Sequence, residues 1–245
     1  MTKPTLLLLP GLLCDQTVWA AQRASLAVIA DCRVPVYGAL DTIEAMADQV
    51  LATAPAGGFA LAGHSMGGRV ALEVVRRAPE RVLRLALLDT GFQALPAGEA
   101  GEKERAGRYQ LLALARSQGM RAMGAQWARG MVHPERLGDA VFEDILRMIA
   151  GNTPAMFESQ IRALLSRPDA TALLPLIGCP ALLLCGRDDA WSPLARHEEM
   201  HAAIPGSRLA IIERSGHMTT MERPQAVSLA LQAWLVEQQR GGDRA

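Results

Sequence analysis

Short runs of near-continuous apolar residues recur along the chain, separated by stretches whose apolar positions return every three or four residues. The runs fall at 5–9, 32–36, 59–62, 83–88, 181–185 and 209–212. Apolar residues without alternation suit strands buried on both faces, so the pattern predicts a parallel sheet covered by helices. The intervening stretches at 18–29, 42–54, 68–77, 193–202 and 224–238 carry helical spacing. In the last of these Pro224 opens the segment, and Val227, Ala230, Leu231 and Trp234 share a face. Strands and helices in alternation build a doubly wound α/β sheet of about six strands. From about 96 to 175 the strand pattern stops. That interval reads as wholly helical and is expected to cap one end of the sheet.

A serine stands where one strand gives way to a helix. Gly63-His64-Ser65-Met66-Gly67-Gly68 follows the run 59–62 and precedes the helical spacing of Val70, Val74 and Val75. A strand, a glycine-flanked serine and a helix in that order resemble the nucleophile elbow of the α/β-hydrolases. The turn thrusts the hydroxyl beyond the sheet, and Gly63 and Gly67 leave room for its tight backbone. The amide of the next residue, Met66, points at the same space and is expected to supply half of an oxyanion hole.

A serine hydroxyl is a weak nucleophile until a base takes its proton, and the base needs an orienting partner. The resemblance implies the chain order serine, acid, histidine. Of five histidines, His64 lies within the elbow, His133 in the helical interval, and His197 and His201 on a helix expected to be solvated. His217, in Arg214-Ser215-Gly216-His217-Met218, follows a strand and is the candidate base. The run 181–185 leads into Gly186-Arg187-Asp188-Asp189, at the carboxyl end of a strand where this architecture gathers functional groups. Hydrolases of this fold usually carry the acid fourth in a Gly-x-x-Asp turn, which selects Asp189. Asp188 is then expected to hold the loop through backbone hydrogen bonds, and Asp89 is the alternative acid. Leu12, after Pro10-Gly11, is expected to give the second oxyanion amide.

These three motifs together are similar to the α/β-hydrolase superfamily along the whole chain, and within it to small bacterial carboxylesterases and enol-lactonases. The family usually has His-Gly in the oxyanion loop, where this chain has Pro10-Gly11. The sequence also begins close to that loop, so six strands are expected rather than eight. The resemblance implies hydrolysis of a carboxylic ester, thioester or lactone through an acyl-enzyme, with no cofactor. Carbon–carbon bond hydrolases and cofactor-free haloperoxidases share the triad and are alternatives. A ligand-binding protein with a vestigial site is the alternative outside enzymes.

Composition narrows the partners. Twenty-five basic residues balance 25 acidic ones, which gives no support to a nucleic-acid partner. Apolar residues make up 50% of the chain, yet no run approaches membrane-spanning length, and the expectation is a cytoplasmic protein acting on a small acyl substrate, free or carrier-linked. Cys14, Cys32, Cys179 and Cys185 lack C-x-x-C spacing and read as reduced thiols, with Cys14 nearest the expected site. His197-Glu198-Glu199-Met200-His201 matches H-E-x-x-H, but no third ligand accompanies it, so no metal is expected. Trp127, within a helical interval rich in methionine, and Trp191 and Met218, close in sequence to the acid and the base, are the candidate substrate contacts. Arg105, Arg108 and Arg116 fall within about 80° on a helix at roughly 100° per residue, a stripe that reads as a solvated face or as a receiver of an anion.

Overall fold

A computed structural model of the chain describes residues 3–236. Six strands, β1 (Thr5–Leu9), β2 (Asp31–Arg33), β3 (Phe59–His64), β4 (Val82–Leu88), β5 (Ala181–Gly186) and β6 (Arg208–Ile212), form one sheet. Their order is β2-β1-β3-β4-β5-β6, and every neighbouring pair is parallel. All residues of β3 and β5 are buried, as apolar strands covered on both faces must be. The chain reverses its direction of strand addition between β1 and β3, and a crevice opens there at the carboxyl ends.

Helices α1 (Ala20–Leu26), α2 (Ile43–Thr53) and α3 (Met66–Arg77) belong to the first half of the sheet. Thr42 caps α2, its hydroxyl accepting from the amide of Ala45 at 3.1 Å. Between β4 and β5 the chain forms α4 (Glu99–Gln118), α5 (Met120–Trp127), α6 (Ala140–Ala150) and α7 (Pro154–Leu165), and no strand occurs there among the described residues. Helix α8 (Leu194–Ala203) lies against β5 and β6, followed by α9 (Thr219–Glu222) and α10 (Pro224–Val236). The expected end of the last helix at 238 lies outside the described residues.

Most boundaries fall within one or two residues of the sequence pattern, and two elements differ more. The second strand was expected at 32–36 but spans Asp31–Arg33, because β2 pairs only with β1, over three residues. Pro35 then removes a ladder donor, and Val36 is left 72% exposed. The first helical stretch is split, with a 3-10 turn at Gln16–Trp19 capped by Asp15 before α1 begins.

Candidate active site

Ser65 has φ 54° and ψ −118°, in the left-handed half of backbone space that a side chain rarely occupies. The surroundings fix it there: its amide donates to Leu88 O at 2.9 Å, and its carbonyl accepts from Thr90 Oγ1 at 2.6 Å and Gly68 N at 2.9 Å. The flanking glycines are required by contact. A Cβ at Gly63 would lie 2.3 Å from Gly67 O, and one at Gly67 2.2 Å from Leu9 O. Ser65 occupies the N-cap position of α3 without using its hydroxyl as a cap, so the hydroxyl is free for another partner.

That partner is His217. Ser65 Oγ donates to His217 Nε2 at 2.8 Å, and His217 Nδ1 donates to Asp189 Oδ2 at 2.8 Å. The other oxygen of Asp189 accepts from the amides of Trp191, at 2.8 Å, and Ser192, at 2.9 Å. Burial pushes the Asp189 carboxyl up, but the imidazole of His217 and these amides outweigh it and hold the group below the usual carboxylate range. The three side chains come from the ends of β3, β5 and β6.

Asp89, the alternative acid, faces elsewhere. Its oxygens accept from Gly186 N and Thr219 Oγ1, and burial together with the nearby Asp189 raises its pKa well above normal. Asp189 is therefore the ionised member of the two. The side chain of Asp188 is half-exposed and lies 3.8 Å from His133, and Asp189 accepts from the amides of Trp191 and Ser192. Asp188 holds the loop through a backbone hydrogen bond, its N–H donating to Ser215 O at 3.0 Å.

Leu12 and Met66 both line the crevice beside Ser65. Met66 opens α3, so its amide has no acceptor within the helix and lies at the positive end of the helix dipole. Gly11 brings the first loop against the elbow, since a Cβ there would lie 3.2 Å from Ser65 Cβ. Leu13, directly after Leu12, is held at φ 57° with its amide on Gln160 Oε1 at 2.8 Å and its carbonyl on Asn152 Nδ2 at 3.0 Å.

A cavity of about 810 Å³ runs from Ser65 beneath α4 to α7. Trp127, Trp191 and Met218 line it, with Met131, Met148 and Phe157. Trp127 stacks on Trp191 with centroids 5.2 Å apart, and Trp191 tilts over His217 at 5.1 Å. Met123 instead lies fully buried in the core and does not line the cavity. Cys14 faces the same space, but burial pushes its thiol up to about 12, so it is no thiolate nucleophile.

The H-E-x-x-H helix departs from the expected solvated face. His197 is fully buried; its Nε2 accepts from Thr90 N at 3.1 Å, and burial lowers its pKa to about 4. His201 lies exposed beside Ser207 Oγ at 2.9 Å. Among the described residues no group of three or more metal-ligating side chains converges. The arginine stripe on α4 is also divided. Arg105 lies 3.8 Å from Glu102 and Arg116 pairs with Glu158 at 2.7 Å, both away from the cavity, whereas Arg108 lines it.

Two side chains to which the motifs gave no role hold the histidine. His64 is neutral, its pKa lowered to about 3 by burial and by His217, and its Nε2 donates to the His217 carbonyl at 2.8 Å. Glu222 accepts from the amides of Gly216, at 3.0 Å, and Met218, at 3.2 Å, on either side of His217. Its second oxygen accepts from His133 N at 2.7 Å, and so ties this loop to the helical interval.

The parallel sheet with a strained serine turn at its switch point is the architecture of an α/β hydrolytic enzyme. Residues 6–230 match the alpha/beta hydrolase family, and the chain belongs to it. It is 28% identical over 250 residues to the pimeloyl-[acyl-carrier protein] methyl ester esterase of Aromatoleum aromaticum, covering 95% of this chain and 98% of that one. Among solved structures, a thermophilic esterase from Thermogutta terrifontis with malate bound is 31% identical, with TM-score 0.83 and coverage of 96% and 90%. The enol-lactonase of Burkholderia xenovorans LB400 shares the fold at TM-score 0.84 and 23% identity, over 97% and 93% of the two chains. No helix among the described residues is long and apolar enough to cross a membrane.

Proposed function

We propose that the protein hydrolyses carboxylic esters of small to medium acyl groups through an acyl-enzyme on Ser65. The observation that carries the reading is the unbroken line of hydrogen bonds from Ser65 Oγ through His217 to Asp189, at 2.8 Å in each step. His217 Nε2 takes the serine proton as Oγ bonds to the ester carbonyl carbon. The negative charge that develops on the carbonyl oxygen is held by the amides of Leu12 and Met66; losing one such donor typically costs about 3 kcal/mol of transition-state stabilisation. The imidazolium, stabilised by Asp189, returns the proton to the departing alkoxide. Water then gives a proton to His217 and attacks the acyl carbon, and collapse of the adduct releases the acid and regenerates Ser65.

In this reading α4 to α7 form a cap over the sheet, and the acyl chain lies against Trp127, Trp191 and Met218. Likeness to the Aromatoleum methyl ester esterase and the Thermogutta esterase supports an ester as the substrate. Cofactors take no part. The test is a series of p-nitrophenyl esters from acetate to octanoate, followed from the first turnover. Wild type is expected to release a burst of nitrophenolate, with a chain-length optimum set by the cavity, and Ser65→Ala to lose it. Equal rates in both proteins would refute the assignment of the nucleophile.

A further inference from the structure

The cavity wall also carries a cluster of basic side chains. Arg69, Arg108, Arg167 and Arg196 all line the cavity. Glu104 satisfies two of them: its carboxylate accepts from Arg167 Nη1 at 2.8 Å and Nη2 at 2.9 Å, and from Arg108 Nε at 3.0 Å. Asp169, which also lines the cavity, turns its oxygens to the amides of Ala94 and Thr171. Arg69 and Arg196 have no carboxylate partner among the described residues. Arg69 Nη1 donates to Gln93 O at 2.7 Å, and Arg196 Nη1 to Trp191 O at 3.1 Å.

These two guanidinium groups converge on one point of the cavity wall. A Cβ at Gly91 would lie 2.8 Å from Arg69 Nη2 and 3.3 Å from Arg196 Nη1. Burial, followed by the charges of Arg167 and Arg196, pulls the Arg69 guanidinium down to about 9. Like charges held together in a largely desolvated place, with the Glu104 carboxylate already bonded to Arg167 and Arg108, are unfavourable for the fold alone. An anion entering from the cavity would reverse that cost, and two planar donors suit an oxyacid. Arg69 follows the N-cap Ser65 by one helical turn, its Cα roughly 6 Å further along the α3 axis, and both residues line the same cavity, a placement that suits an anion joined to the ester by a short chain.

We infer that Arg69 and Arg196 form a subsite for a carboxylate borne by the ester, so that the preferred substrates are anionic esters of short chain length. The inference rests on the proposed ester hydrolysis and specifies its substrate class.

The test compares monomethyl esters of succinate, glutarate and adipate with the nearly isosteric dimethyl diesters. Acetoxyacetate against its methyl ester asks the same question with the carboxylate on the leaving group. The readout is the ratio of kcat/KM for anion over neutral ester. A charged hydrogen bond predicts a preference of about tenfold in wild type in at least one arm, falling several-fold through KM in Arg69→Gln and in Arg196→Gln. Arg196 is half-buried on α8, so its variant keeps the test open where Arg69→Gln fails to fold. Ratios that stay the same in all three proteins overturn the subsite.

Calorimetric titration with glutarate and with methyl phosphate reads the same subsite without chemistry. Should no ester be turned over, the hydrolytic reading falls, while glutarate binding that weakens in both variants keeps the subsite. Glutarate binding that is absent, or indifferent to both substitutions, removes it. Methyl phosphate bound more tightly than glutarate overturns the assignment to a carboxylate.

Discussion

Glu222 shows how much of the site depends on a residue that touches no substrate. One carboxylate oxygen fixes the amides of Gly216 and Met218, so His217 is clamped on both sides. Burial raises the pKa of this carboxyl, and each amide it accepts opposes that rise. In Glu222→Gln the added NH2 group would face at least one backbone N–H, leaving a buried donor unmatched. A shift of the imidazole by a fraction of an ångström then lowers kcat, by about tenfold or more, while KM for a neutral ester moves little. Steady-state kinetics on p-nitrophenyl butyrate, with denaturation curves run in parallel, check this. An unchanged kcat in a folded Glu222→Gln protein would make the clamp merely structural. Nothing in the sequence marked this glutamate, because one of its partners, His133, is 89 positions away and belongs to another part of the fold.

The elements themselves were legible where local chemistry decides them. Strands β1, β3, β4 and β5 were readable because two-sided burial forces near-continuous apolar residues, and the serine turn because glycine contacts at Gly63 and Gly67 admit no side chain. The edge strand β2 was misplaced, since apolar Val34 and Val36 look like strand residues but have no neighbour to pair with. On α4 the arginine stripe was visible, but which arginines face the cavity depends on where α4 meets α7, a contact without local signal. That junction is held by Glu104 on α4 and Arg167 just past α7. Burial would raise the Glu104 carboxyl, but the hydrogen bonds of Arg167 and the charge of Arg108 together lower it from 4.5 to about 2. A depressed carboxyl stabilises the fold above its unfolded pKa and loses that contribution as pH falls through its folded one. Wild type is therefore expected to exceed Glu104→Gln at pH 7 by about 1–2 kcal/mol, since solvent reaches this half-buried carboxyl and screens part of the shift, and the gap to close between pH 4.5 and about 2. Urea denaturation of both proteins across that range measures the gap; a difference constant with pH would show that the ion pair does not supply it.

Across the whole molecule, acid stability is governed by buried neutral histidines as well as by carboxylates. His64 and His197 are held near 3 and near 4, chiefly by burial, against 6.5 in the unfolded chain. Between pH 6.5 and those values the unfolded chain binds more protons, so stability rises with pH and is lost on acidification. Asp89 and Glu222, with raised pKa values, act with the opposite sign: their preference for the proton favours the fold at low pH and fades as pH rises. Maximum stability should then lie near neutrality, where both histidines are uncharged. His197 is the place to test this, because it joins α8 to the serine turn: its Nε2 accepts from Thr90 N, and Thr90 Oγ1 donates to the Ser65 carbonyl. His197→Gln keeps an acceptor for that amide but cannot be protonated in this range. The variant should be no more stable than wild type at pH 7.5, where histidine already serves, and should lose less stability on going from pH 6.5 to about 4. For a group shifted this far the difference in slope amounts to roughly 3 kcal/mol over the interval. Denaturation midpoints that run parallel for the two proteins down to pH 4 would mean that His197 takes up its proton in place, and that α8 can accept a charge at the root of the serine turn.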